Sequence, residues 1–506
     1  MKFDWFLVSL VTASSTAAQE GVYQIEPQLF RPNVLVVLAD DLGLDPIQQY
    51  WDDGCVFEPG NPANTGPMIP LPTLDGELIP KGIRFCNAWA NPSCSPTRAS
   101  VLTGRYSFRH GIGKPIAPGS GVGLDATQMT IPEMLDLQSS GYAHAGFGKW
   151  HLARLAAVNC SNPQGPWNQG FDYYEGQLFA APLTYCDVPP PGGWTPWVEF
   201  VSDQVQTPCP ANPAERPGAQ YLVTDQFADA ATWIQQQGGA RWFCYVAPQA
   251  PYELYHAPPG GGLPIPDCQG CEGPFRQACY DAALQAMDAE LGALLAVIAA
   301  QSPQGKWWKS TTVFFIGDNG TPDDVIRVPF DEDHAKESLA EGGVRVPFVV
   351  SGASVAQAVR GTPSSALVNT VDVLATVAKI ARVDVPQISG YPIDSVSLWP
   401  ILRNQAATTR DWIYSERFNN TTNVPFVSGP DPRIIRDDQF KLYYSPDLDP
   451  TNDELYDLAL DPFEQGAPFV DPGNPSQPMY IQDAYLDLVC VLRDEVGLVT
   501  ETITCP

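Results

Sequence analysis

A series of short, uninterrupted apolar runs constrains this chain more than any other feature: Val34–Ala39, Tyr142–Phe147, Trp242–Ala247, Thr312–Ile316 and Val346–Val350. Runs of this length, rich in Val, Ile and Phe, suit strands covered on both faces of a mostly parallel sheet. Helical patterns lie between them. In Ala282–Ala300, for instance, Leu284, Met287, Leu291, Leu294 and Leu295 recur at three- and four-residue spacing. Alternating strands and helices predict an α/β architecture, a large mostly parallel sheet flanked by helices. Beyond about residue 405 the pattern changes to short strands (Trp412–Ser415, Arg433–Arg436, Phe440–Tyr444) and a final helix near Asp483–Asp494. That predicts a smaller C-terminal α+β domain, 406–506, built on an antiparallel sheet, after a main domain at 19–405. The Pro-rich segments 182–217 and 257–273 read as surface excursions.

Charge narrows the partners. With 28 Lys and Arg against 57 Asp and Glu, the net charge is −29. Nucleic acid is therefore not expected as a partner, because phosphate contacts need clustered bases. No uninterrupted apolar run reaches membrane-span length, so a soluble protein is expected. Lys2, the apolar stretch Trp5–Ala13 and the small residues Ser14–Ala18 resemble a secretory leader over residues 1–18. Twelve cysteines agree with a secreted, periplasmic or otherwise extracytoplasmic location. Cys268, Cys271 and Cys279 suit disulfides better than zinc, for want of a nearby fourth ligand. Cys490 and Cys505 are placed to staple the C-terminus. Sequons stand at Asn159, Asn419 and Asn420.

Two strand ends carry acids. Val34–Ala39 runs into Asp40 and Asp41, and Thr312–Ile316 runs through Gly317 into Asp318 and Asn319. Ligands of open α/β sheets gather at the carboxyl ends of strands. Three carboxylates and an amide carbonyl form an all-oxygen set that suits a hard cation, calcium or magnesium. Each pair alone reads equally well as a helix cap or a turn. A third element adds to them: Cys94-x-Pro96-x-Arg98 leads into a helix whose free N–H groups suit an anion. Spacing alone leaves open that Cys94 is a disulfide partner.

The Cys94 segment, Pro92-Ser-Cys-Ser-Pro-Thr-Arg98 through Thr103-Gly104-Arg105, resembles the signature of the type I, formylglycine-dependent sulfatases of the alkaline phosphatase superfamily. The family's other landmarks come in order: Asp40-Asp41-Leu42-Gly43, Gly148-Lys149-Trp150-His151, Gly170-Phe171-Asp172 and Gly317-Asp318-Asn319-Gly320. Lys336 with Glu341 to Pro347, and Leu455 to Leu458 with Asp461-Pro462, complete the set. The likeness covers about residues 31–470. It implies a sulfuric ester hydrolase, arylsulfatase-like, in which a formylglycine-generating enzyme oxidises Cys94 to Cα-formylglycine. One oxygen of the aldehyde hydrate would attack sulfur while another binds the metal. Asp40, Asp41, Asp318 and Asn319 correspond to the family's calcium ligands. Arg98, Lys149 and Lys336 would neutralise sulfuryl oxygens, and His151 resembles the base that restores the aldehyde.

One position departs from the family. Where sulfatases usually carry a Pro-His pair after a central strand, this chain reads Ala250-Pro251-Tyr252, with His256 four residues late. Either Tyr252 replaces the histidine or His256 reaches in from a longer loop. An unperturbed phenol is a weak acid near neutral pH, so Tyr252 predicts a preference for good leaving groups. The substrate expected is an aryl sulfate or a lightly sulfated saccharide. Two rival readings are a phosphonate monoester or phosphodiester hydrolase of the same superfamily, and a non-catalytic binding protein on the same fold. The Asp-Asp and Asp-Asn pairs favour the sulfatase over the first, and the intact charged set favours it over the second.

Overall fold

The computed structural model describes residues 31–56, 69–117, 120–137, 139–153, 165–178, 200–203, 221–252, 258, 275–385, 392–422, 432–445, 449–497 and 505. The expected leader, His256 and the Cys268–Cys271 pair lie outside them. Residues Pro32–Pro506 form one compact unit.

Its centre is a sheet of nine described strands: β1 (Asn33–Ala39), β2 (Gly82–Trp89), β3 (Tyr142–Lys149), β4 (Tyr173–Gln177), β5 (Phe200–Asp203), β6 (Arg241–Ala247), β7 (Thr311–Gly317), β8 (Phe348–Gly352) and β9 (Thr362–Asn369). They are ordered β5-β4-β3-β6-β1-β7-β8-β2-β9. The run from β4 to β7 is parallel throughout, as is β2 with β9. Antiparallel pairing confines itself to β4–β5 and to both sides of β8. The apolar runs mark the central strands correctly. The last of them begins two residues early, since Val346 precedes β8 and donates its N–H to the Ala88 carbonyl. Inside the Pro-rich 182–217 stretch, Phe200–Asp203 form an edge strand paired with β4.

Residues of β1 alternate between two cores. Val34, Val36 and Leu38 pack with Leu102, Val373 and Val377 on one side, whereas Leu35, Val37 and Ala39 pack with Leu284, Leu291 and Leu294 on the other. Burial on both faces is why the strand reads as one apolar run. Helices Cys94–Thr103 and Asp372–Ala381 supply the first layer, Leu222–Gln236 and Arg276–Gln301 the second. The 26-residue Arg276–Gln301 helix, with a mean hydropathy of 1.5 over its most apolar window, is long and apolar enough to cross a membrane. Scattered polar residues hide that length from a search for uninterrupted apolar runs. Here its apolar face lies in the core, and its buried Asp288 accepts the N–H groups of Thr73 and Leu74 at 2.9 and 2.8 Å.

The second sheet is an antiparallel meander of β10 (Ile413–Glu416), β11 (Arg433–Arg436), β12 (Phe440–Tyr444), β13 (Glu454–Asp457) and β14 (Phe469–Val470). The Met479–Val491 helix covers it through Ile481, Tyr485 and Leu488. Cys490 bonds to Cys505, as the spacing suggested, and Cys55 bonds to Cys86. Glu341 ties the two sheets together. Buried, it accepts from Trp89 Nε1 of β2 at 3.1 Å and lies 3.3 Å from Lys441 Nζ of β12 and 3.5 Å from Arg436 Nη1 of β11. Burial pushes its carboxyl up, but Lys441, Arg436 and Arg345 outweigh that and hold it below its ordinary value.

Candidate active site

Strand register assembles the acids. Ala39 of β1 is the partner of Gly317 of β7, so the residues just beyond them leave the sheet side by side. Parallel strands lie only about 4.8 Å apart, which sets the spacing of the two acidic pairs. Asp318 N donates to the Ala39 carbonyl (2.9 Å), and Asp41 N donates to Asp318 Oδ1 (3.0 Å). One oxygen each from Asp40, Asp41 and Asp318 fall within 4.8 Å of one another, all buried. The turn after β7 packs so closely that a Cβ on Gly320 would sit 1.8 Å from the Gly342 carbonyl.

Three cations face the three carboxylates. Lys149, the last residue of β3, points its ammonium at Asp40 Oδ2 and Oδ1 (2.7 and 3.0 Å). Gly148 before it has φ +85°, and a Cβ there would meet the Ala247 carbonyl at 2.2 Å, so only glycine lets β3 end this way. Arg98 donates to Asp318 Oδ2 (2.6 Å) and to the Lys149 carbonyl (2.9 Å), and lies 3.4 Å from Asp40 Oδ1. Lys336 Nζ bonds Asp41 Oδ2 at 2.8 Å. Burial opposes the charge on Lys149, but Asp40 reverses the effect and raises its pKa. Asp41 is pushed up by burial and held down overall by Lys336 and Lys149.

Cys94 opens the Cys94–Thr103 helix, one residue after an extended Ser93. It is a free thiol, not a disulfide partner, and burial pushes its pKa up. Its Sγ stands 3.1 Å from His151 Nδ1. The other ring nitrogen, Nε2, lies 3.1 Å from the Ile116 carbonyl. A carbonyl only accepts, so Nε2 carries the proton and Nδ1 turns its lone pair to residue 94. Burial, Lys149 and Arg98 together hold His151 far below the ordinary imidazole range, which keeps it neutral. Ser95 Oγ locks this geometry by donating to the His151 carbonyl (2.9 Å) and accepting from Ile116 N (3.1 Å). Sequence reasoning gave no role to Ser95 or Ile116. A backbone carbonyl leaves no residue-type signal.

The residues fit a divalent cation. Asn319 Nδ2 donates to Asp41 Oδ1 and to the Gly320 carbonyl, both at 2.9 Å, which fixes the amide. Its Oδ1 is buried and has no hydrogen-bond partner among the described residues. An orphaned acceptor beside three carboxylates is the environment that a hard cation satisfies.

Residues 32–383 match the family model described as Sulfatase. The chain belongs to the sulfatase family. It is a type I sulfatase of the alkaline phosphatase superfamily, an enzyme that hydrolyses sulfate esters. It is 28% identical to human arylsulfatase G over 400 residues (74% of this chain, 69% of the relative) and 29% identical to bovine arylsulfatase A over 405 residues (76% and 70%). Among solved structures, Ps i-CgsB in complex with k-i-k-neocarrahexaose shares the fold with TM-score 0.68 at 21% identity, covering 94% of this chain and 95% of that one. The PsFucS1 sulfatase from Pseudoalteromonas sp. also gives TM-score 0.68, at 18% identity with coverage of 94% and 92%.

All the expected site residues within the described chain converge in this sulfatase. Tyr252 comes directly after the Ala250–Pro251 peptide, whose Ala250 carbonyl accepts from Asp40 N. Its ring lies under Lys149 Nζ at 4.3 Å and within 5.7 Å of Lys336 Nζ. Burial pushes its phenol up to about 12. His256, the alternative, falls outside the described residues.

Behind the site, His110 braces the Cys94–Thr103 helix. Ile112 N donates to His110 Nδ1 (3.2 Å), so Nε2 carries the proton and donates to Ser100 Oγ (3.2 Å). Burial, reinforced by Arg105, lowers its pKa to about 3. The unfolded chain takes up this proton near pH 6.5, and the folded one does not until about pH 3. Stability therefore falls as pH drops between those values, by up to about 1.4 kcal/mol per unit from this group. Raised carboxyls such as those of Asp45 and Glu416 act in the opposite sense, so urea unfolding from pH 7 to 4.5 should show a steeper decline in the wild type than in His110→Gln. An unchanged slope in the variant would exclude His110 as its source.

Proposed function

We propose that the sulfatase acts through Cα-formylglycine at position 94 together with a divalent cation held by Asp40, Asp41, Asp318 and Asn319. The observation that carries this is the position of Cys94 at a helix start, 3.1 Å from a histidine lone pair and beside a charge-balanced buried cluster. Three carboxylates against three side-chain cations leave the pocket near neutral, so a bound cation makes it positive and selects an anionic ester. That cation, calcium or magnesium, would supply Lewis-acid polarisation of the sulfuryl oxygens and of the attacking oxygen. The aldehyde, as its hydrate, would supply a nucleophilic hydroxyl whose partner oxygen lets the ester break down from within, where an ordinary side chain leaves a covalent sulfate for water to attack.

The chain's own residues do the rest. Arg98, Lys149 and Lys336 orient the sulfuryl group and offset charge as it shifts towards the leaving oxygen. His151, neutral with its free nitrogen towards position 94, takes the proton that restores the aldehyde. Tyr252 holds the two lysines on its ring face and stands where the family's second histidine is expected. Its high pKa keeps it protonated and makes it a poor acid. The sulfatase is thus suited to an aryl sulfate, whose phenol is a good leaving group, ahead of a lightly sulfated saccharide, whose alcohol is a poorer one. Tyr252→Phe retains the ring and removes the hydroxyl. It should slow alkyl sulfates by about tenfold or more while barely changing 4-nitrophenyl sulfate. Equal losses on both would remove the leaving-group role.

A secreted or periplasmic location is supported by the Cys55–Cys86 and Cys490–Cys505 disulfides and by residues 1–18, and a formylglycine-generating enzyme would mature the chain there. The test is protein co-produced with that enzyme, probed by peptide mass around Cys94 and by 4-nitrophenyl sulfate turnover with and without chelator. Aldehyde at position 94 with chelator-sensitive turnover is expected. Full activity with an intact thiol would overturn the proposal.

A further inference from the structure

We propose that a cleft where the central sheet meets the antiparallel meander binds a small tetrahedral oxyanion, sulfate or phosphate, on Arg345 and Arg436, apart from the catalytic cluster. The cleft has a volume of about 490 Å³, room for such an ion with its waters. Asn87 of β2, Ser365 of β9, Arg436 of β11 and Ala459 after β13 line it together with Arg345. No residue of the catalytic cluster does.

Charge is out of balance behind this cleft. Arg345 and Arg436 are only 6% and 4% exposed, yet both rely on one oxygen of Glu341. That Oε2 lies 4.0 Å from Arg345 Nε and 3.5 Å from Arg436 Nη1. Lys441 Nζ stands 3.3 Å from the other oxygen and 2.9 Å from Glu464 Oε1. Three cations thus share two carboxylates, which leaves one buried positive charge unmatched. Burial outweighs Glu341 and, with Arg436, brings the pKa of Arg345 down to about 10. Of the acids on the cleft wall, Asp53 is taken by Arg84 Nε at 2.6 Å, and Asp438 is exposed, so water screens its charge.

The donors are set to receive an anion. Arg345 gives Nε to the Cys86 carbonyl and Nη2 to the Cys55 carbonyl, both at 2.7 Å, which fixes the plane of its guanidinium. Its Nη1 has no hydrogen-bond partner among the described residues. Arg436 is held in the same way by the Asp437 and Asp438 carbonyls, at 2.9 and 3.4 Å. Carbonyl oxygens orient a guanidinium without cancelling its charge, and each fork keeps N–H groups to spare. Because both forks approach the same Glu341 oxygen, one oxyanion can bridge them, satisfy Nη1 of Arg345 and restore the balance. Sulfate is the ion that sulfate-ester hydrolysis releases, so the enzyme makes a ligand for this site as it works.

The experiment pairs crystals with thermal unfolding of the full-length protein. Crystals soaked in selenate, a tetrahedral oxyanion with an anomalous signal, should show a peak within about 4 Å of Arg345 Nη1. In solution, sulfate and phosphate are each compared with sodium chloride of equal ionic strength, and the larger rise in Tm names the preferred ion. Ala459→Glu and Ser365→Glu, made separately, each set a carboxylate on the cleft wall at an exposed position. At about ten times the Kd of the cleft, at least one variant should lose roughly 2 °C of the wild-type rise in Tm. That variant should start from a higher Tm without the ion and keep wild-type turnover of 4-nitrophenyl sulfate. No peak at Arg345 would overturn the site. A peak with the same rise in Tm in all three proteins would mark an adventitious ion and overturn it as well. Neither result depends on the chemistry at position 94, so failure here leaves the proposed mechanism standing.

Discussion

Cys94→Ala should lower kcat/KM for 4-nitrophenyl sulfate by on the order of 10⁴ or more, with little change in the far-ultraviolet spectrum or in Tm. The helix start that presents residue 94 does not depend on its sulfur. Pro96 and the extended Ser93 set the entry, and Gly104, in the left-handed conformation at φ +65°, ends the helix. The thiol makes one described hydrogen bond, to His151, whose other bonds to Ile116 and Ser95 remain. Alanine therefore removes the reacting atom and leaves the anion pocket. Sulfate should still bind and still raise Tm in the variant. A variant that keeps more than about a hundredth of wild-type turnover would show that residue 94 is not the nucleophile.

Arg98→Ala should damage both stability and catalysis. Arg98 is fully buried and bridges Asp318 and Asp40. Removing it leaves Asp40 paired with Lys149 alone and leaves Asp318 without an ion pair among the described residues. Breaking such a pair from one side costs about 3–5 kcal/mol. The loss of a fixed donor to the sulfuryl group costs a further 10²–10³ in kcat on the order-of-magnitude scale of such donors. A divalent cation can replace part of the missing charge, so calcium should raise the Tm of the variant by more than that of the wild type. Equal calcium shifts in the two proteins would show that the carboxylates of Asp40 and Asp318 are not where the ion acts.

Much of this site is legible in the sequence because its residues sit at strand ends. The runs before Asp40 and Asp318 are apolar on both faces, so the point where each strand stops is plain, and the acids stand at the ligand-binding end of the sheet. β2 and β9 are harder to read. β2 mixes Ile83 and Phe85 with Arg84 and Asn87 and carries a bulge between Phe85 and Asn87. Its Arg84 is buried only because it pairs with Asp53, far off in sequence. Strand order is likewise invisible to local pattern, and with it the pairing of β1 and β7 that brings the acids together. The tautomer of His151 depends on a main-chain oxygen at Ile116, and the stacking of Tyr252 under two lysines depends on distant chain segments. Neither leaves a trace in residue type.

The position of Glu341 bears on how the polypeptide emerges from synthesis. Its carboxylate sits in the loop after Lys336, yet two of the cations that make its burial tolerable, Arg436 and Lys441, come about a hundred residues later. A nascent chain that ended before β11 would have to bury that charge without either of them or leave the loop open. The central sheet can collapse early, but the Lys336 wall of the pocket closes only once the meander has been made. Activity should therefore arrive last, with the C-terminal strands acting as the fastener of a site whose other walls come from the main sheet.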